Sequence, residues 1–336
     1  MALIACLIIA IVTGIAKGSV NLDMAVVLQI LHDKLFGLTS NAKVPLAHQH
    51  IVWSLRLPRV LMAAVVGAGL AIVGVVMQAM VRNSLADPYM MGVSSGASAG
   101  AVSVLAFGSF AAAGGYALSL AAFAGALLAT ATVYTLARQH GQVHTTRLIL
   151  CGVAVAYCLG GVTSLITLTS GQRDLASAIL SWTLGSLAGA RWTQLGLPTA
   201  VLMLGLAWLC LQARSLNALT SGDETAQTLG VNVASFRKQL FVVVSLLTGL
   251  MVAVSGAIGF VGLVIPHITR MVVGAEHRRV LPFAALLGAL FLIVVDLLAR
   301  TLFAPTEVPV GVITALLGGP FFIWMLLRAP STRGVS

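Results

Sequence analysis

Charge in this chain is confined to short intervals, and that spacing limits what it can fold into more than any other feature. The stretches 88–137, 148–172, 192–213, 239–269, 280–295 and 308–327 contain no Asp, Glu, Lys or Arg. Only 8% of the 336 residues are charged, and the mean hydropathy is +1.03. A water-soluble domain of this length could not cover its surface with so few charges. A bilayer asks for this pattern, because each spanning helix needs about 20 mostly apolar residues to cross roughly 30 Å of hydrocarbon. The chain reads as an all-α polytopic membrane protein.

The apolar runs fall at 2–16, 60–81, 90–110, 115–137, 148–168, 194–212, 239–255, 257–273, 280–302 and 308–327. The interval 239–273 would make one helix of about 50 Å, too long for a single crossing. Ser255, Gly256 and Gly259 sit near its middle, where a reversal is cheapest, so it divides into two spans. Ten transmembrane helices are expected, and strands are excluded because they would need barrel closure. The first span is short and starts at Met1 without a basic lead, which predicts a trimmed start. A cleaved signal peptide would need a charged n-region and a small-residue cleavage site.

Ten crossings put both termini on one side. With that side cytoplasmic, the inner segments carry Arg82, Arg138, Arg147, Arg214, Arg237, Lys238, Arg270, Arg278, Arg279, Arg328 and Arg333. The outer segments carry Lys17, Lys34, Lys43, Arg56, Arg59, Arg173, Arg191 and Arg300. Eleven against eight agrees with the positive-inside rule only weakly, so the outer cations need a reason of their own. The net charge of +10 is spread through loops, which argues against nucleic acid as a partner and for acidic protein partners. Gly67, Gly69 and Gly74 suit close helix packing in lipid. The four cysteines have no metal-type spacing and read as buried structural thiols.

Four groups could carry chemistry. Gly92-Val93-Ser94-Ser95-Gly96 matches the nucleophile-elbow pattern, but it opens a membrane helix rather than a strand–turn–helix. The one histidine within a span is His267, so packing is the favoured reading over an intramembrane hydrolase. Asp296 and Arg300 share a helix face at i,i+4 and are expected to pair, which leaves a proton-coupled transporter without a second buried acid. On the inner side, Ser221 to Glu224 reads as a capping box. It would start a short helix over 222–229, stopped at Gly230. Asn232 would cap a second short helix, and the pair looks like a docking element for a cytoplasmic partner. Outside, Pro58 favours an extended residue before it, so Arg56 and Arg59 are expected to face water and meet carboxylates.

RLPR (56–59), VGAGLAIVGVVMQAMVRNSLADPYMMGVSSGASAGA (66–101), GAIGFVGLVIPHITR (256–270), HRRVLPFAALLGALFLIVVDLLAR (277–300) and EVPVGVITALLGGPFFIWMLL (307–327) resemble the iron-chelate and cobalamin permease family of ABC importers. The resemblance runs from about the second span to the last. It implies a type II ABC importer permease fold with cytoplasmic N and C termini, forming a single transmembrane domain over 1–336 in the bacterial cytoplasmic membrane. A second permease subunit, identical or a close paralogue, would complete the translocation path. An extracytoplasmic substrate-binding protein would deliver the cargo, and two cytoplasmic ATPase subunits would drive import. The resemblance assigns Arg56, Arg59 and Arg300 to docking of the binding protein. It assigns a coupling segment at about 213–238, with Ser221, Asp223, Glu224, Ala226, Leu229 and Gly230, to the ATPase. Thr145 and Thr146 of HTTR (144–147) match the cytoplasmic gate, and Thr163, Ser164 and Thr167 on the fifth helix are candidates for the path.

The sequence contains no G-x-x-x-x-G-K-[ST] phosphate loop, so this chain is expected to be no enzyme and to bind no cofactor or metal. ATP and Mg belong to the partner ATPase. SWTLGSLAGARW (181–192) resembles siderophore permeases, which makes a ferric siderophore the expected cargo, with haem or cobalamin as the alternative. An ion-coupled secondary transporter is the remoter reading.

Overall fold

The computed structural model describes residues 1–18, 20–37, 44–139, 142–143, 145–170 and 173–328. Its helices in chain order are α1 (Ala2–Ala16), α2 (Met24–Leu35), α3 (Leu46–His50), α4 (Leu57–Val81), α5 (Val93–Phe107), α6 (Ala117–Ala137), α7 (Thr145–Thr169) and α8 (Arg173–Thr183). They continue with α9 (Trp192–Leu211), α10 (Ala213–Thr220), α11 (Asp223–Thr228), α12 (Val233–Ser255), α13 (Val261–Val273), α14 (His277–Thr301) and α15 (Val310–Arg328). A hairpin of two-residue strands, β1 (Arg138–Gln139) and β2 (Gln142–Val143), leads into α7.

Six of these helices are long and apolar enough to cross a membrane, and four shorter apolar ones bring the set among the described residues to ten. Each falls where the charge spacing places it. The division of 239–273 holds: α12 ends at Ser255, Gly256 takes a positive φ of 68°, and α13 begins at Val261. Starts differ by up to six residues, as at α12, because the helix continues past the membrane edge into the charged interval Val233–Lys238.

In lipid, helices gain little from hiding apolar surface from one another, so close packing of small residues has to hold the bundle. α4 is its axis, lying against α14, α13 and α12. Gly67 meets the Gly288 carbonyl and Gly74 meets the Gly262 carbonyl, with no room at either for a Cβ. A second layer pairs α5 with α6 through Gly96 and Gly125, and α6 leans on α12. The G-x-S-x-G string is thus a helix-packing seam. His267 stands edge-on to the Phe321 ring at 6.1 Å, and among the described residues no hydrogen bond joins it to Ser94 or Ser95.

After α4, residues 83–91 fold back against the bundle. Asp87 is buried and its Oδ1 accepts the Tyr89 N–H at 2.8 Å, starting a 3₁₀ turn over Pro88–Met91. Burial pushes the Asp87 carboxyl up to about 6, against the smaller opposing pull of that N–H. The Tyr89 hydroxyl donates to the Ile258 carbonyl at 3.0 Å and accepts the Ile258 N–H at 2.9 Å, tying this turn to the extended link before α13.

Several local expectations are corrected. Gly222, with φ 119°, is the N-cap of α11, while the Ser221 hydroxyl donates to the Asn217 carbonyl at 3.3 Å, so there is no capping box. Asn232 does cap, accepting the Ser235 N–H at 3.1 Å, but it opens the long α12. The pair of short helices is therefore α10 and α11. Leu57 is helical (φ −61°, ψ −49°) in front of Pro58. A π-helical turn over Ile51–Arg56 precedes Pro58 and runs α3 into α4, at a point where proline supplies no N–H. Cys6 and Cys158 lie on the surface of the chain rather than inside it.

Candidate functional site

The two ends of the bundle carry the polar groups. At the end where α1 finishes and α4 begins, the last carbonyls of α1 have no partners within their own helix. Arg56 supplies them. Its Nη1 donates to the Ile15 and Ala16 carbonyls at 2.9 Å each, and its Nη2 to the Val20 carbonyl. Arg300 closes the same helix end from α14, with Nη2 on the Gly14 carbonyl at 2.9 Å and Nη1 on the Lys17 carbonyl at 3.3 Å. Two cations at a helix C-terminus also complement its dipole.

Arg59, one turn into α4, faces acids rather than carbonyls. Its Nε donates to Asp296 Oδ1 at 2.9 Å, and its Nη1 to Glu307 at 2.8 and 3.1 Å. Asp296 Oδ2 lies 3.1 Å from Arg300 Nε without hydrogen-bond alignment, a charge contact that completes the expected i,i+4 pair. The cluster carries three positive charges against two negative ones. Arg56, Arg59, Arg300 and Asp296 are all buried, so the expectation that Arg56 and Arg59 face water is corrected. Their guanidiniums instead line a cavity of about 360 Å³, together with Gly18, Ala188 and Glu307. Only the Glu307 carboxylate, 44% exposed, is open to solvent. The Trp53 and Trp192 rings lie 5.2 Å apart, tilted by 37°, and are joined by a 2.8 Å bond from Trp192 Nε1 to the Trp53 carbonyl, a pairing suited to a membrane–water interface.

At the opposite end, α10 and α11 lie beneath the last turns of α4 and the first turns of α12 and α14. Arg82, Arg237, Lys238, Arg278 and Arg279 mark this side as cytoplasmic. Asp223 accepts both Arg237 nitrogens at 2.9 Å, and Arg82 Nη1 stands 3.8 Å from the same carboxylate. Asn217 accepts the His277 N–H at 3.0 Å and faces its Nδ1 at 2.6 Å. Ala226 is fully buried, while Glu224, Leu229 and Gly230 point outward, with Leu229 67% exposed. The residues expected to couple are thus one inward anchor, one ion fork and an exposed face.

The expected gate and path residues lie on α7. Thr146 is exposed, and the side chain of Thr145 lies outside the described residues. The Thr163 hydroxyl donates to the Leu159 carbonyl at 2.9 Å and Thr167 to the Thr163 carbonyl at 2.7 Å, while Ser164 is exposed. Sequence reasoning missed Glu307, Arg82, Arg237, Asn217 and His277. Of these, Arg237 and Asn217 lie within the expected coupling segment and Arg82 is among the expected inner cations, but none was given a site role.

Ten apolar helices among the described residues, with two short ones at the cytoplasmic end, define an integral membrane protein of the permease kind. Residues 6–328 match the FecCD transport family, and the chain belongs to that family. It is 46% identical over 283 residues to the cobalamin import permease BtuC of Halobacterium salinarum, covering 84% of this chain and 75% of that one. It is 42% identical over 321 residues to the hemin transport permease HmuU of Yersinia pestis, covering 95% and 93%. Against Bacillus subtilis YvrB, an ABC permease without a named substrate, identity is 42% over 324 residues, covering 96% and 91%. A solved transporter assigned to the metal-chelate ABC type, in an inward-facing conformation, superposes with a TM-score of 0.82 at 30% identity, each chain covered to 98%. The chain is a multi-pass permease subunit of an ABC importer in the cytoplasmic membrane, and it is not itself an enzyme.

Proposed function

We propose that this permease imports a metal-centred chelate and that a corrinoid or haem precedes a ferric siderophore as its cargo. The observation that carries this is that two relatives with a named substrate, one a cobalamin and one a hemin permease, match 84% and 95% of the chain. That moves the siderophore, expected from residues 181–192, into second place. The spanning helix α7 supports a wide, weakly adhesive path. Two of its hydroxyls, Thr163 and Thr167, are spent on their own helix and offer a passing solute few fixed donors.

In this reading the whole chain is one transmembrane domain, and a second permease covers the exposed faces of α7 and α15. A binding-protein carboxylate enters the cavity beside Arg56, Arg59 and Arg300. Two ATPase subunits bind α10 and α11 through Glu224 and Leu229, and they supply the ATP and Mg chemistry. Thr145 and Thr146 form the gate, and Ser164 faces the path with Thr163 and Thr167. Uptake of radiolabelled cobalamin, hemin and a ferric siderophore in a deletion strain, with and without this gene, tests the assignment. Gene-dependent uptake of cobalamin or hemin supports it, and uptake of ferric siderophore alone reverses the ranking of cargoes.

A further inference from the structure

A six-residue helix is too short to be stable by itself, and α11 buries one side chain, the small Ala226. Something else must hold it in place. The bidentate fork between Asp223 and Arg237 fixes both position and orientation, because two parallel N–H···O bonds admit one relative geometry. Asp223 is about one-third exposed, so the fork adds little to global stability, and its contribution is to geometry. The same carboxylate stands 3.8 Å from Arg82, the residue that ends α4 in the left-handed conformation. Asn217 joins α10 to the first residue of α14.

Two of the helices reached in this way, α4 and α14, are also tied at the far end. α4 and α14 touch backbone to backbone at Gly67 and Gly288, and they are bolted at the outer end by Arg59 and Asp296. A push on α10–α11 therefore meets a two-helix strut whose other end lines the arginine cavity.

We propose that Asp223 is a positioning residue that joins the short cytoplasmic helices to α4 and α12, so that nucleotide-driven movement of a bound ATPase is passed to the α4–α14 strut. The inference rests on the reading of α10–α11 as the ATPase contact.

The test is amide hydrogen exchange on the full permease–ATPase complex in lipid nanodiscs, with and without a non-hydrolysable ATP analogue. In the wild type, nucleotide is expected to change exchange in 213–230 and in the inner turns of α4 and α12 by about tenfold. In Asp223→Ala the change in 213–230 should persist and that in α4 and α12 should vanish, with Asp223→Glu restoring it. Arg237→Gln removes the same fork from the other side and serves if Asp223→Ala does not accumulate. An undiminished response of α4 and α12 in either variant overturns the joint. Leu229→Asp, on the exposed face, checks the underlying reading separately: it is expected to shed the ATPase, and full retention overturns both.

Discussion

Helices α4 and α7 are each 25 residues long and predominantly apolar, yet they have opposite surroundings. In the most apolar stretch of each, 89% of the residues are buried for the span containing α4 and 6% for α7. The difference lies in the small residues. Along α4 they occur where a neighbouring backbone must approach, at Gly67 and Gly74. In the outer half of α7, Gly160 and Gly161 meet nothing within 4 Å. One helix is the internal axis of the subunit, and the other is a wall awaiting lipid, a second subunit or cargo.

The comparison breaks most visibly at the glycines. Gly67→Leu and Gly74→Leu place side chains against backbone carbonyls and are expected to cost about 3 kcal/mol or more, leaving little monodisperse protein on size exclusion. Gly160→Leu and Gly161→Leu should elute like the wild type, and equal losses on both helices would end the distinction. At the outer bolt of α4, Asp296→Ala leaves Arg59 with Glu307 alone and takes the carboxylate from buried Arg300, an expected loss of about 3 kcal/mol. A thermal-shift assay showing an unchanged midpoint would mean that the cluster is not what fixes α4 to α14.

On the other side of the comparison, α7 is expected to meet its own copy if the permease is a homodimer. In a background without the native cysteines, Tyr157→Cys, Leu165→Cys or Leu168→Cys should give a disulfide-linked pair in membranes. Leu204→Cys on α9, equally exposed, should not. Cross-linking at Leu204 alone would move the interface off α7.

The smallest effect lies where the two helices are linked. Gly152 of α7 fits tightly against the Met90 carbonyl, in the turn that Asp87 starts after α4. Asp87 holds its proton more firmly when folded, near 6 against 3.8, so stability is lost as pH rises from about 4 through 6. Asp87→Asn keeps the cap without the ionisation. Its unfolding free energy should exceed that of the wild type above pH 6, by at most roughly 3 kcal/mol, and converge with it near pH 4, read from unfolding midpoints across that range.

The spans were legible because the bilayer imposes one length on every crossing, and a gap between charges reports it directly. The reversal at Ser255–Gly259 was legible for the same reason, since its glycines stand at the one place where an over-long run can turn. The surroundings of Arg56 and Arg59 were not legible, and of those of Arg300 only its i,i+4 partner Asp296 was. A motif of basic residues beside a proline suggests solvent, but here α1 offers unpaired carbonyls and Asp296 and Glu307 arrive from more than two hundred positions away. The short helices were placed correctly as a segment and wrongly in detail. Ser221 has the chemistry of a cap, and Gly222 has the backbone freedom that the turn before α11 demands. Asn217 and His277, 60 positions apart, meet only because α10 folds beneath α14.

Glu307 gives the outer cluster a property that a bare cation would lack. Arg59 already holds a carboxylate, so an anion arriving there is an exchange partner rather than a first ligand. Much of the desolvation has been met in advance, and the net gain is the difference between two similar bonds. Such a swap is shallow in free energy and easily reversed, as the docking of a binding protein proposed for this surface would require.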